Sequence, residues 1–308
     1  MMPRGSKLAR GAPPAPAKRE TAAASSGTSY EMRDSRNELR ERVGRGATRL
    51  KESSASARAR GREIGRCARL DMPWARCGVA RIMRETLQRF VLEPLMTYYT
   101  RRKVSGRERF DSLEPPVVFV ANHSSHMDTP AILRALPRKW RHRTAVAAAA
   151  DYFYRDRRLA TVVSLLFNTV PVQREGGGGN GELAHVDQLL DDRWNLLLFP
   201  EGTRSRGRRL KRMRSGAAVL AARHDSVIVP IHVIGTDDAM PPGQVWPRRK
   251  LWRRRYPVRV AFGDPIRPVD GESPRDVTAR VQDFFERQGA PPPEPIPAPV
   301  AEPAGVGH

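Results

Sequence analysis

A cluster of polar residues directly follows an apolar run in this sequence. The run is PVVFVA at 116–121, and NHSSHMD follows it, with His123 and Asp128 five positions apart. Within one helix that spacing would place the two side chains on different faces. A turn between a strand and a helix can instead return the carboxylate to the imidazole, where it holds one tautomer and leaves the other ring nitrogen to accept a proton. The alternative is a structural loop in which Asp128 helps to cap the next helix.

The same cluster contains side chains of the types that bind metals. His123 and His126 are three residues apart and Asp128 adds a carboxylate, and divalent transition metals accept all of these ligands. Nothing else nearby completes a ligand set. We therefore predict that the protein has no metal site.

A second polar segment, FPEGTRSR at 199–206, follows another apolar run. Gly202 allows the backbone to approach a ligand closely, and Arg204 presents a planar fork of N–H groups that fits a phosphate. Seven cations fall within residues 204–214: Arg204, Arg206, Arg208, Arg209, Lys211, Arg212 and Arg214. A solvated basic loop is the alternative, but the neighbouring strand end and glycine favour anion binding. Arg174 ends another predicted strand and can converge on the same place.

The segments that carry these residues alternate between strand and helix patterns. Strands are predicted over 116–121, 144–150, 169–173, 195–199, 227–234 and 258–262. Helices are predicted from Thr129 to about Leu136, over 156–167, 181–194 and 215–223, and after the capping-box pattern at 273–276. This alternation predicts an α/β fold, a single domain with a largely parallel or mixed central sheet flanked by helices. Polar residues that follow its strands lie where such sheets hold their sites.

The two ends of the chain differ from its centre. Residues 1–76 are basic and rich in Ala, Ser and Arg, and residues 290–308 are rich in Pro, so both regions are predicted to be mostly disordered. The region 77–289 is long enough to form one buried core. Within it, residues 82–98 predict an amphipathic helix that Pro94 kinks, with an apolar face of Met83, Leu87, Phe90, Val91, Leu95 and Tyr98.

The overall charge limits the classes of partner. The chain of 308 residues has 55 Lys and Arg against 33 Asp and Glu, a formal charge of +22. Such a balance favours phosphates, nucleic acid or an anionic membrane surface. Two cysteines cannot build a disulfide framework, which indicates a reducing compartment. No apolar run approaches the roughly 20 residues that span a bilayer, and the first residues lack the apolar core of a signal peptide. We therefore expect neither a secreted nor a multispan membrane protein.

Four blocks occur in a distinctive order: NHSSHMD, the strand ending at Arg174, FPEGTRS, and Val229-Pro230-Ile231. With these blocks, over roughly residues 82–268, the chain resembles the glycerolipid acyltransferases of the 1-acylglycerol-3-phosphate acyltransferase family. The resemblance implies that His123 is the catalytic base and is paired with Asp128. It assigns to the acceptor-phosphate site Arg174, Glu201, Gly202, Thr203 and Arg204. It places Pro230 on the side of the acyl donor.

The resemblance predicts a reaction and its partners. A fatty acyl group would pass from acyl-CoA or acyl carrier protein to the free hydroxyl of lysophosphatidic acid, giving phosphatidic acid. We expect no cofactor beyond the acyl donor. Because the acceptor lies in a bilayer, we predict a cytoplasmic protein bound peripherally to the inner face of the cell membrane, with 82–98 as its anchor. The expected partners are a lysophospholipid, the acyl donor and a membrane surface, without nucleic acid.

Two alternatives stay open from the sequence. In the first, the chemistry is the same but the acceptor is glycerol 3-phosphate, another lysophospholipid or a lyso-aminolipid. In the second, the chain is a basic nucleic-acid-binding protein with an inactive acyltransferase core. The basic N-terminal region favours this second alternative. The intact pair of His123 and Asp128, and the lack of a recognisable nucleic-acid-binding motif, argue against it.

Overall fold

The chain forms one seven-stranded sheet with helices on both faces. The computed structural model describes residue 67 and residues 69–173, 184–205, 209–244, 246–248 and 255–291. All of them lie in the unit Arg58–His308. The strands are β1 (Thr100–Ser105), β2 (Val117–Ala121), β3 (Thr144–Ala149), β4 (Thr169–Val172), β5 (Asn195–Leu198), β6 (Val227–Ile234) and β7 (Tyr256–Phe262).

The sheet is mixed, and its order is β1-β7-β6-β2-β5-β3-β4. Strand β2 lies in the middle, parallel to β5 on one side and to β6 on the other. Strands β6 and β7 run antiparallel, whereas β1 and β7, β3 and β5, and β3 and β4 are parallel pairs. The predicted α/β class, with a largely parallel or mixed sheet in one domain, is confirmed.

The burial of β2 explains why its sequence is apolar without interruption. Successive side chains of a strand point to opposite faces of the sheet. Val117 and Phe119 accordingly pack in the core on one face, and Val118 and Val120 pack in the core on the other. Because helices cover both faces, no position of this strand is left for a polar side chain. The polar residues can begin only where the strand ends.

Most helices fall where the sequence pattern predicts them. They are α1 (Gly78–Leu87), α2 (Glu93–Tyr99), α3 (Asp128–Ala135), α4 (Arg138–Arg141), α5 (Ala150–Phe153), α6 (Arg157–Phe167), α7 (Ala184–Asp191), α8 (Gly216–Arg223), α9 (Thr236–Ala239) and α10 (Pro274–Arg287). Short 3₁₀ helices span Pro73–Arg76 and Arg107–Ser112. The hydroxyl of Ser273 accepts a hydrogen bond from the Asp276 N–H at 3.3 Å, as the capping-box pattern predicts. Helix α3 begins at Asp128, one residue before its predicted start.

A widened turn joins α1 to α2. Residues Gln88–Leu92 form a π-helical turn in which the N–H of Glu93 donates to the carbonyl of Gln88, five residues earlier. Pro94 follows at the start of α2. Proline has no N–H to donate and its ring clashes with the carbonyl four residues earlier, so a regular α-turn cannot continue through it. The kink predicted at Pro94 therefore takes the form of a π-turn just before it.

The helical segment 78–99 buries polar side chains and exposes apolar ones. Arg84 Nε donates to the carbonyl of Leu165 at 2.8 Å, and Gln88 Nε2 donates to that of Leu166 at 2.7 Å. These bonds satisfy carbonyls in the last turn of α6, which have no partner within their own helix. Burial lowers the pKa of Arg84 to about 10, so its guanidinium remains charged at neutral pH. The exposed apolar face, which we call the α1–α2 face, consists of Val79, Ile82, Met83, Phe90, Val91 and Tyr98.

In the part of the chain that the structure describes, no helix is both long enough and apolar enough to cross a bilayer. Most of the predicted tails, 1–76 and 290–308, falls outside the described residues. Pro73–Arg76, within the first of these regions, form a 3₁₀ helix next to α1, and Ala75 is buried there. The predicted domain limits at 77 and 289, and the disorder predicted beyond them, stay predictions.

Candidate active site

The polar blocks of the sequence meet at one edge of the sheet. Strands β2, β5 and β6 are neighbours and parallel, so their carboxyl ends share this edge. Residues 122–128 follow β2, residues 199–205 follow β5, and Gly235 and Thr236 follow β6. Ligand sites of open α/β sheets lie at the carboxyl ends of their strands.

The centre of this edge is a hydrogen-bonded pair of His123 and Asp128. His123 Nδ1 lies 2.9 Å from Asp128 Oδ2. Because a carboxylate can only accept, Nδ1 carries the proton, and Nε2 of the neutral ring has a free lone pair. The ring is 18 % exposed, and Nε2 has no protein partner among the described residues. The turn between β2 and α3 therefore brings together the two residues that five positions of sequence separate.

Asp128 is fully buried, and hydrogen-bond donors surround its carboxylate. Its Oδ2 atom accepts the backbone N–H groups of Ser124 at 2.7 Å and Ser125 at 2.8 Å. Its Oδ1 atom accepts the hydroxyl of Thr236, which lies at the end of β6. A buried charge is costly unless several hydrogen bonds satisfy it. The predicted capping role of Asp128 is wrong, because Met127 is the N-cap of α3 and Asp128 is the first residue of the helix, where its carboxylate binds the amides of the preceding loop.

Two further contacts attach the loop to β6 and its neighbourhood. The side-chain amide of Asn122 donates to the carbonyl of Val233 at 2.8 Å and accepts the N–H of the same residue at 2.8 Å. The hydroxyl of Ser125 donates to the carbonyl of Met240 at 2.7 Å. Both polar side chains in these bonds, Asn122 and Ser125, are buried. The loop is therefore held by specific bonds at both of its ends.

The second polar segment, which begins at Phe199, holds the backbone of His123. Glu201 is buried, and its Oε1 atom accepts the His123 N–H at 2.9 Å while Oε2 accepts the Lys211 N–H at 3.1 Å. The N–H of Ser205 donates to the His123 carbonyl at 2.7 Å. Burial raises the pKa of Glu201, although these hydrogen bonds act against the shift. Both carboxylate oxygens of Glu201 are thus used within the protein, and this side chain positions His123.

Phe199 fixes the plane of the His123 ring. The two rings stack with their centroids 4.3 Å apart and an angle of 30° between their planes. One nitrogen of the imidazole is held by Asp128 and one face is covered by Phe199. The ring therefore has little freedom to turn away, and its Nε2 atom keeps a constant direction.

Basic groups surround the turn that contains Gly202. This glycine has a left-handed backbone with φ of +69°, and a Cβ atom there would lie 3.5 Å from the guanidinium of Arg214. Lys211 Nζ donates to the hydroxyl of Thr203 at 2.7 Å and to the carbonyl of Arg204 at 3.0 Å. The turn therefore has two cationic side chains beside it, Lys211 and Arg214, a chemistry suited to a phosphate.

His126 differs from His123 in environment. Its ring stacks on Tyr152 with centroids 5.8 Å apart, and its centroid lies 6.5 Å from that of His123. Burial, together with the nearby charge of Arg204, lowers its pKa to about 4, so His126 is neutral at physiological pH. Across the described ranges, no group of three or more His, Cys, Asp and Glu side chains has the arrangement of a metal site.

The resemblance also singled out Arg174 and Pro230. Arg174 is outside the described residues. Pro230 lies within β6, in register with Val120 of β2, and its carbonyl accepts the N–H of Gly263 at 2.8 Å. It is buried in the sheet, four residues before the end of its strand.

Comparison with known proteins shows which proteins this chain is similar to. A family model described as Acyltransferase matches residues 101–234. Over this range the chain is similar to the acyltransferase family. It is 29% identical over 142 residues to the chloroplastic 1-acyl-sn-glycerol-3-phosphate acyltransferase LPAT1 of Arabidopsis thaliana, a match covering 46% of this chain and 38% of that one. It is 26% identical over 155 residues to a probable 1-acyl-sn-glycerol-3-phosphate acyltransferase of Mycoplasma pneumoniae, covering 50% and 58%.

These matches span only about two fifths to three fifths of the relatives' own length. Among solved structures, the 1-acyl-sn-glycerophosphate acyltransferase PlsC of Thermotoga maritima aligns with a TM-score of 0.46 and 21% identity, covering 67% of this chain and 84% of that one. The predicted resemblance is confirmed, and the matched region contains the strands and loops that hold His123, Asp128 and Glu201.

The sequence pattern did not reveal several groups that shape the candidate site. Thr236, Phe199, Lys211 and Arg214 were not assigned individual positions in it. The signal for Thr236 was its position directly after the β6 strand pattern, where a polar residue reaches the same edge as His123. The signal for Phe199 was its place before Pro200. The contacts of Lys211 and Arg214 depend on how the chain returns after 206–208, which no local pattern specifies.

Proposed function

We propose that this protein transfers a fatty acyl group from acyl-CoA or acyl carrier protein to the free hydroxyl of lysophosphatidic acid, with phosphatidic acid as the product. The observation that carries the proposal is the pair of His123 and Asp128, with Nε2 free, beside the basic turn around Gly202. The relatives named as 1-acyl-sn-glycerol-3-phosphate acyltransferases support the same acceptor.

In the proposed reaction, His123 acts as the general base. The acceptor oxygen attacks the thioester carbonyl carbon while its proton passes to Nε2 of His123. The resulting tetrahedral intermediate then breaks its bond to sulfur, and the leaving thiolate takes the proton back from the imidazolium. Asp128 stabilises the imidazolium that forms between these steps, because its carboxylate faces Nδ1 at 2.9 Å. A thioester is already activated, so no acyl-enzyme intermediate is required.

The cations of the second block give the acceptor its position. Arg204 is partly buried, has no ion-pair partner among the described residues, and lies close enough to His126 for its charge to lower the pKa of that histidine. With Lys211 and Arg214 nearby, it can bind a phosphate monoester and hold the acceptor hydroxyl near His123. Glu201 contributes indirectly, through the backbone of His123. Arg174 and Pro230 keep the acceptor-side and donor-side roles that the resemblance gives them.

We also propose that the enzyme works at the cytoplasmic face of the cell membrane, bound peripherally. The α1–α2 face supports this, since six large apolar side chains are exposed on one helical segment and Phe90 is 73 % exposed. Exposed apolar surface of this extent in a soluble environment is unfavourable unless another apolar phase covers it. A bilayer supplies that phase and contains the acceptor.

The test is an acyltransfer assay of the full chain against a panel of acceptors. Lysophosphatidic acid, glycerol 3-phosphate, a lysophosphatidylcholine and a lyso-aminolipid are each offered with acyl-CoA and with acyl carrier protein, and products are measured by mass spectrometry. We expect lysophosphatidic acid to be the preferred acceptor. Preference for an acceptor without a phosphate monoester would contradict the proposal.

Arg204→Ala sharpens this test. Losing a charge-assisted contact costs about 1.5 to 3 kcal/mol, so the KM for lysophosphatidic acid should rise roughly 10- to 150-fold. The KM for the acyl donor should change little. Arg275→Ala, on the exposed surface of α10, is the matched control and should leave both constants unchanged. A rise in the KM for the acyl donor alone would show that Arg204 binds the donor and not the acceptor.

A further inference from the structure

A cleft of about 420 Å³ lies between residues 69–74 and the segment 154–161, which leads into α6. Three arginines line it: Arg69, Arg155 and Arg157. None of the residues that hold or contact His123 belongs to its walls. The cleft is therefore a separate feature from the candidate active site.

The walls of the cleft carry an excess of unpaired positive charge. The guanidinium groups of Arg69, Arg155 and Arg157 are exposed, and none has a carboxylate partner in the described ranges. The acid in the wall is Asp71, and Arg76 neutralises it, donating to Oδ1 at 3.1 Å and to the second carboxylate oxygen as well. Three positive charges thus face one cleft without compensation.

The backbone at this end of α6 is already satisfied. Asp156 caps the helix, and its carboxylate accepts the N–H groups of Arg158 and Leu159. An anion in the cleft would therefore be bound by the arginine side chains, whose planar forks suit phosphate oxygens.

Apolar side chains lie next to these charges. Trp74 lines the cleft and is 42 % exposed, and Leu159 and Val162 of α6 are also exposed. Helix α1, which begins four residues after Trp74, packs on α6 through Arg84 and carries part of the α1–α2 face. A soluble phosphate compound would make no use of such surroundings. A phospholipid has a phosphate for the arginines and acyl chains for the apolar side chains, and tryptophan is favoured at the boundary between them.

We propose that this cleft is a binding site for the phosphate of an anionic phospholipid in the membrane, distinct from the acceptor site. Arg69, Arg155 and Arg157 bind the phosphate, and Trp74 with Leu159 contacts the upper part of the acyl chains. The proposal rests on the proposed membrane binding but not on the acyltransfer reaction. It orients the protein on the bilayer by a specific contact in addition to the apolar α1–α2 face.

Vesicle sedimentation of the full chain tests the site. Vesicles of phosphatidylcholine alone are compared with vesicles of phosphatidylcholine and phosphatidylglycerol at a ratio of about 4:1, a composition with anionic surface charge. The variant Arg69→Ala/Arg155→Ala/Arg157→Ala is compared with Arg259→Ala/Arg275→Ala/Arg287→Ala, which removes the same charge from exposed positions on β7 and α10.

We expect the cleft variant to bind anionic vesicles roughly 100-fold more weakly than the parent, since each arginine near the surface contributes about fivefold. Binding to pure phosphatidylcholine should change little. The control variant should bind anionic vesicles almost as well as the parent. Equal losses in the two variants would overturn the proposal, because net charge rather than the cleft would then account for binding.

A second measurement separates a lipid from a soluble phosphate. Dihexanoyl phosphatidylglycerol below its micelle concentration and sn-glycerol 3-phosphate are each titrated into the parent and the cleft variant by calorimetry. We expect the short-chain lipid to give binding in the parent that the cleft variant lacks, and sn-glycerol 3-phosphate to give no such difference. An equal difference for both probes would assign the cleft to soluble phosphates and refute the lipid site.

Folding and catalysis are checked separately. Circular dichroism verifies that the cleft variant is folded, and Arg69→Lys/Arg155→Lys/Arg157→Lys, which keeps the charge, should recover part of the vesicle binding. Acyltransfer by the parent and the control variant is assayed in detergent micelles. If the parent shows no acyltransfer to any acceptor, the proposed function is wrong. The comparison of vesicle binding still tests whether the cleft binds an anionic phospholipid.

Discussion

The loop 122–128 and the helical segment 78–99 place polar and apolar side chains in opposite ways. In the loop, polar residues are buried, and Asp128 is fully enclosed with donors on both of its oxygens. In the helical segment, Arg84 and Gln88 are buried while Phe90 and Val91 are exposed. Arg84, Gln88 and Asp128 each have hydrogen-bond partners, so their burial costs little. The exposed apolar side chains have no such compensation in the described structure.

The loop and the helical segment therefore have different roles. The loop fixes the direction of the His123 Nε2 atom, and this requires bonds of defined length and angle. The helical segment presents apolar area, which acts without direction and in proportion to the surface removed from water. Substitutions in the loop should therefore change the reaction or the stability of the protein, whereas substitutions on the α1–α2 face should change where the protein binds.

The largest effect is expected at His123. His123→Ala should lower kcat by at least about 100-fold, the lower end of what a general base contributes. The ring is partly exposed and only its Nδ1 atom is bonded, so the thermal midpoint should change little. His126→Ala is the matched control in the same loop and should lower kcat far less. Equal losses of kcat in the two variants would contradict the assignment of His123, rather than His126, as the general base.

The burial of Asp128 predicts the next largest effect, which is on stability. Asp128→Ala leaves the N–H groups of Ser124 and Ser125 and the hydroxyl of Thr236 without their acceptor. We expect the free energy of unfolding to fall by about 3 kcal/mol or more. Thr236→Val removes a single hydroxyl and should cost about 1 kcal/mol. Urea unfolding measures the loss of unfolding free energy in each variant. Equal losses would show that the N–H groups of Ser124 and Ser125 contribute nothing to stability.

The α1–α2 face should respond in the opposite manner. Ile82→Ser/Phe90→Ser/Val91→Ser should weaken vesicle binding at least about tenfold at both low and high salt, because apolar insertion is not screened. Stability should change by less than about 0.5 kcal/mol for each exposed position. Val269→Ser, an exposed apolar residue outside this face, should leave binding unchanged.

A deletion distinguishes this effect from charge attraction. Removing residues 1–66 takes away basic residues and should weaken vesicle binding mainly at low salt. If the deletion abolished binding at high salt while the triple serine variant bound normally, the α1–α2 face would not be the membrane contact.

The last effect is gradual and concerns stability on the acid side of the pH range. Burial lowers the pKa of His232 to about 4, from an ordinary value near 6.5. As the pH falls between these two values, the unfolded chain takes up a proton that the folded protein does not, so stability is lost. The expected slope is about 1.4 kcal/mol per pH unit from this residue. His232→Leu should reduce the slope measured by urea unfolding from pH 6.5 to 4. An unchanged slope would show that His232 is protonated in the fold.

The sequence pattern was sufficient to predict an element in two situations. One is a strand that is buried on both faces of the sheet, and the other is a helix whose cap is formed by residues close in sequence. The run PVVFVA predicted β2 because a strand covered on both faces has no polar position. Ser273 predicted the start of α10 because its bond to Asp276 spans only three residues. Strand β1 was missed, since its sequence TRRKVS is mostly exposed and its pairing with β7 joins residues more than 150 positions apart.

The sequence by itself determined the order of most strands and helices, the blocks NHSSHMD and FPEGTRS, and through them the similarity to acyltransferases. Its pattern also marked 82–98 as amphipathic. Tertiary structure alone decided that Glu201 holds the backbone of His123, that Thr236 bonds to Asp128, and that Arg84 is buried beneath an exposed apolar face. The physical reason is the range of the interactions. Helical spacing, alternation and caps act over a few residues, whereas these bonds join residues about 80 to 110 positions apart, which only the packed sheet brings together.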